Sequence, residues 1–122
     1  MKNKEQLDNA SRAAGIEVEW HEAWQKLIIV GELCDGKFSR LRAYQVWSPL
    51  TDDGDALRLA VKLRLWVQIS ERSVWVAQNA DEMFGEMAAS TLVMFSDCGG
   101  DKGAAVRLAI VRAAAAIGKA MQ

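Results

Sequence analysis

Histidine and cysteine are scarce in this chain: among 122 residues there is one histidine, His21, and two cysteines, Cys34 and Cys98. All three stand far apart in sequence, so they give no recognisable zinc spacing. A nucleophilic Cys–His pair would have to be assembled by the fold, and nothing beside Cys34 or His21 in sequence activates either. Two cysteines do not make a disulfide framework, and the expectation is free thiols in a reducing compartment. Charge of one sign is also lacking. A formal net charge of -1 and a pI near 5.8 argue against bulk attraction to nucleic acid or to a membrane surface. No apolar run approaches the roughly 20 residues of a membrane span. The start, Met1-Lys2-Asn3-Lys4-Glu5, is charged with no apolar segment behind it, which reads as no secretion signal. There is no internal repeat, and no low-complexity segment beyond one alanine run near the carboxyl end.

What is present is the composition of a soluble globular protein, 51% hydrophobic and 25% charged. The length suits a single domain over 1–122, with a core large enough to need no staple. Lys4 to Ala14 reads as a short helix with Leu7, Ala10 and Ala14 on one stripe and Gly15 ending it. Ile16 to Trp20 alternates as a half-buried strand does, and Leu27 to Val30 is a second strand candidate. Asp35-Gly36 marks a turn. Arg40 to Trp47 is a further strand candidate, stopped at Pro49 because proline cannot donate to a ladder.

Thr51, Asp52 and Asp53 are placed to cap a helix running to about Leu63, whose broad apolar surface suits packing across a sheet. Leu65 to Ile69 and Ser73 to Gln78 alternate and read as a hairpin. Asn79 to Ser90, with Met83, Phe84 and Met87 around Gly85, reads as a helical turn or a mobile excursion. Thr91 to Phe95 reads as a short strand and Ser96 to Gly100 as loop. The segment from Lys102 to Met121 has the highest helix propensity in the chain, with Asp101 as its cap and Val106, Ile110, Ala113, Ile117 and Met121 as its buried stripe. The fold class expected is α+β: a small sandwich with an antiparallel sheet of about three to five strands, packed by helices that include a long carboxyl-terminal one.

Several residues invite a chemical reading. Asp52, Asp53 and Asp55 resemble part of a calcium loop, but the bidentate glutamate at the required later spacing is missing, and helix capping accounts for the same residues. Cys98-Gly99-Gly100-Asp101-Lys102-Gly103 opens a helix, where free amides attract anions. The P-loop spacing is absent, however, and Asp101 repels a phosphate. Five tryptophans are a high count, and tryptophan often marks stacking surfaces or interfaces. Lys37, Arg40 and Arg42 precede Trp47 on one strand candidate. An aromatic ring stacking on a base beside a guanidinium forked onto phosphate is how nucleotides are held. The competing reading is a solvated edge strand whose charges prevent aggregation.

The run Trp47-Ser48-Pro49-Leu50-Thr51-Asp52-Asp53-Gly54-Asp55-Ala56-Leu57-Arg58-Leu59-Ala60-Val61-Lys62-Leu63 is similar to the signature of the phage ABA-sandwich family. Ala105 to Gly118 resembles that family's final helix, and the helix ending Ala13-Ala14-Gly15 fits its first. The resemblance implies a small α/β sandwich of phages or prophages, with a short antiparallel sheet between helices and no catalytic residues to carry over.

The functional expectation is a non-enzymatic phage accessory protein that acts by binding in the cytoplasm of a bacterial host. In its sharper form it captures a host nucleotide immune signal through Arg40, Arg42, Tyr44 and Trp47, without cofactor or metal, in a pocket that a homo-oligomer interface could complete. The alternative is a protein–protein interaction module that inhibits a host protein through an exposed tryptophan patch. A small metal-dependent hydrolase using Asp52, Asp53 or Asp97 ranks last.

Overall fold

The computed structural model describes residues 2–23, 25–34, 37–39, 45–78 and 90–120. Helix α1 (Lys2–Ala14) is followed by β1 (Ile16–His21), β2 (Lys26–Cys34), β3 (Lys37–Ser39) and β4 (Gln45–Val46). Then come α2 (Asp53–Lys62), β5 (Leu65–Ile69), β6 (Ser73–Gln78), β7 (Ser90–Met94), a 3-10 turn (Phe95–Cys98) and α3 (Lys102–Ala120). The fold is α+β, and its strands divide into two antiparallel sheets. In the first, β1, β2 and β3 lie in that order and β4 also pairs with β2; the second has the order β5-β6-β7. Alternation within a strand assigns its faces but not its partners, so this division is not legible from the pattern of the strands.

Each boundary has a local cause. Gly15 adopts φ 70° and turns α1 into β1. A bulge between Glu17 and Val18 shifts the register of β1 on β2. The side chain of Asp52 accepts from the Gly54 amide at 2.9 Å and caps α2. Arg64 takes φ 54°, a left-handed conformation, between the end of α2 and β5. Gly99 and Gly100 both have positive φ and close the 3-10 turn, which occupies the segment read as loop. Asp101 then caps α3 by accepting from the Ala104 amide at 3.0 Å.

One hydrophobic cluster joins the layers. Ala10 and Ala14 of α1, Leu27 and Ile29 of β2, Leu59 and Ala60 of α2, Val74 and Val76 of β6, Val93 of β7 and the alanine face of α3 all belong to it. The buried face of α3 differs from the expected stripe: Val106 and Ile117 are half-buried, Met121 lies outside the described residues, and only Ile110 and Ala113 of the stripe are buried. Ala105, Ala109, Val111, Ala114, Ala115 and Gly118 are buried along with Ile110 and Ala113, because the helix packs on α1, α2 and the second sheet together. Small side chains allow that. At Gly118 the approach is closest: a Cβ there would fall 1.7 Å from the Asn9 carbonyl oxygen of α1.

Candidate functional site

Arg40, Arg42 and Tyr44 lie outside the described residues. Trp47 is described, and its placement corrects the expectation of a stacking surface: it is 3% exposed and belongs to the core cluster. Its amide donates to the Leu27 carbonyl at 2.9 Å, which anchors it beside β2. The cavity it lines with Ile16, Ile29, Asp55, Leu59 and Lys62 holds about 40 Å³. That is room for about three waters, each needing roughly 10–15 Å³ on this measure, and too small for a nucleobase.

The acidic residues of the signature run are used within the fold. Asp52 caps α2. Asp53 pairs with Arg107 of α3 at 2.5 Å, while the Arg107 Nε donates to the Leu50 carbonyl at 2.9 Å. Asp55 is buried; its carboxylate accepts from the Ser48 amide at 2.9 Å and from Arg58 at 2.6 Å. The three carboxylates therefore fasten the turn after Trp47 to α2, and α2 to α3. Among the described residues no three His, Cys, Asp or Glu side chains converge as a metal site would need, and no helix is long and apolar enough to cross a membrane. Cys98 is a half-buried free thiol on the 3-10 turn, and His21 ends β1 opposite Lys26.

The feature that invites a ligand lies elsewhere, where α2, α3 and β5 meet. An open groove of about 430 Å³ runs there. Ala56, Ala60, Val106 and Ile110 line it together with Leu57, Val67 and Ile69; Lys102 and the Asp53–Arg107 pair add the charge. Its cause is visible along one cross-strand row of the second sheet. Ile69, Val74 and Val93 are directly opposite one another and share the face that packs on α3. Val74 and Val93 are 0% and 2% exposed, whereas Ile69, at the edge, is 62% exposed. On α2, Leu57 and Val61, one turn apart, are 63% and 68% exposed.

The other face of the same sheet is apolar as well. Trp75 stands opposite Leu92, with Trp66 and Met94 on the diagonals. Trp66, Leu92 and Met94 are exposed and Trp75 is half-buried. Apolar surface on both sides of one edge strand was missed in the sequence. The alternation of Leu65 to Ile69 was read correctly, but the uncovered edge depends on where α2 and α3 end up. No protein-family model, no curated protein and no solved structure matches the chain.

Proposed function

We propose that this chain is a non-enzymatic accessory protein of the phage ABA-sandwich kind, acting in the cytoplasm of a bacterial host by binding a protein partner. The observation that carries the reading is the uncovered inner-face residue Ile69 with exposed Leu57 at an apolar groove, and exposed Val61 one turn further along α2. Clustered exposed aliphatic groups beside a tryptophan-bearing face are the composition of a protein-docking surface. A nucleotide needs an aromatic face and convergent phosphate donors. The groove offers aliphatic walls, and its Arg107 is already engaged by Asp53 and the Leu50 carbonyl.

The test is a photo-reactive amino acid at Leu57 in cells of the host. A discrete protein adduct is expected, and it should vanish when Ile69→Asp is added. Nucleotide capture through Arg40, Arg42 and Tyr44 would instead raise the melting temperature of the purified protein with a nucleotide, and Arg42→Ala would remove the rise. That result without an adduct would overturn the protein-partner reading.

A further inference from the structure

We infer that the outer edge of β5, unpaired among the described residues and beneath the overhang of α2, takes an extended peptide segment of a partner protein as an added strand, with aliphatic residues at alternate positions and an acidic residue at its Arg64 end. The inference rests on the protein-partner reading above and names the form of the partner.

The phase of the ladder comes first. The Ser70 amide donates to the Ser73 carbonyl at 2.8 Å, closing a two-residue hairpin loop, Glu71-Arg72. Hydrogen-bonded and non-bonded pairs alternate along an antiparallel ladder. Continued through the register of β5 on β6, this sends the amides and carbonyls of Trp66 and Gln68 toward β6 and those of Leu65, Val67 and Ile69 away from it. Among the described residues no strand pairs with that outer side. Exposed edges are normally blunted by proline, charge or a bulge. Leu65-Trp66-Val67-Gln68-Ile69 contains no proline and no charge, and its register with β6 is unbroken.

The helices indicate what the edge accommodates. Packed helices lie about 10 Å apart, and strands about 4.8 Å apart, so one helix spacing spans about two strands. Helix α3 lies mainly over β6 and β7, and α2, beside α3, reaches the sheet at β5. The axis of α2 therefore falls near the boundary between β5 and a strand position that is empty. A strand in that position would cover Ile69 and Val67 from the side, and its inward residues would meet Leu57 and Val61 of α2. Alternate aliphatic residues satisfy that face.

Charge selects the flanks. Arg64 immediately precedes β5 at one end, Glu71 and Arg72 offset each other in the hairpin loop at the other, Lys102 lies in the groove wall next to the capping Asp101, and Asp53 is matched by Arg107. The surplus is positive at the Arg64 end, which favours an acidic residue at that end of the added strand. A second copy of this chain fits less well. Paired through β5 about a two-fold axis, each copy would bring its own α2 to the same place over the axis. A lone strand meets no such obstacle.

The experiment selects displayed random peptides of about nine residues, ordinary strand length, on the whole protein, with Val67→Lys as counter-selection. The expected winners alternate aliphatic residues and carry Asp or Glu at one end. A synthetic winner should slow amide exchange at Leu65, Val67 and Ile69 by about tenfold or more, since ladder bonds protect amides. Val67→Lys should weaken binding by about tenfold or more, as a charge at an edge is meant to do. Gln68→Lys, whose amide already faces β6, should stay within about twofold. Enriched peptides that leave those three amides unprotected would overturn strand addition while the protein-partner reading stands. No enrichment over the counter-selected pool would overturn it too, and an adduct at Leu57 would then still support a protein partner. Self-association of the free protein with the same amides protected would give the edge to a second copy and overturn the peptide assignment.

Discussion

Asp55 illustrates what a single side chain settles here. It is the one acid of the signature run that is buried, and it binds the Ser48 amide and Arg58 at once. Removing the buried carboxylate leaves the part-buried Ser48 amide without its acceptor, which costs more than the bond is worth in isolation, while the half-exposed Arg58 returns to solvent. Asp55→Ala is expected to destabilise the protein by about 2 kcal/mol, and Asp55→Asn by less, because the amide oxygen can still accept from Ser48. Urea unfolding followed by tryptophan emission measures both, with Trp47 beside the site as a local reporter. The sequence permitted capping for all three aspartates. It could not show that only Asp52 caps α2, because Asp53 is taken by Arg107 of α3 and Asp55 by the Ser48 amide of the preceding turn together with Arg58 of α2 itself.

At the scale of elements, the parts fixed by local chemistry were legible. The alanine-rich composition of α3, its aspartate cap and the alternation of the β5–β6 hairpin all led to the observed elements. Helix α2 was equally legible, and its cap gives a direct prediction. Asp52→Ala should cost about 1 kcal/mol and lower the melting temperature by about 4 °C, read by circular dichroism. What failed was inference across elements. Trp47 was assigned to a surface because basic residues precede it on a strand candidate, yet it lies in the core beside Leu27. The groove has no sequence signature. Leu57 and Val61 looked like a widening of the buried stripe of α2, and only the position of α2 relative to the second sheet leaves them in solvent.

For the whole molecule, the continuity of the hydrophobic cluster across α1, both sheets, α2 and α3 makes one cooperative unit. The contact of α1 with α3 is its tightest joint. Gly118→Ala places a methyl group against the Asn9 backbone, which cannot yield as a flexible side chain would. Overpacking of that kind costs about 3 kcal/mol. The loss should appear at the same denaturant concentration by helical circular dichroism and by tryptophan emission. Separate transitions for the two signals would show that α1 and α3 melt independently of the sheets.

That joint also orders events during synthesis. Helix α1 leaves the ribosome before α3, and growth at about 5–20 residues per second puts on the order of ten seconds between them. Throughout that interval Ala10 and Ala14 have no α3 to pack against, and the inner face of the second sheet has no lid. This region is therefore most exposed to chaperones and to aggregation just before α3 emerges, and α3 closes the core over α1 and the second sheet in a single step.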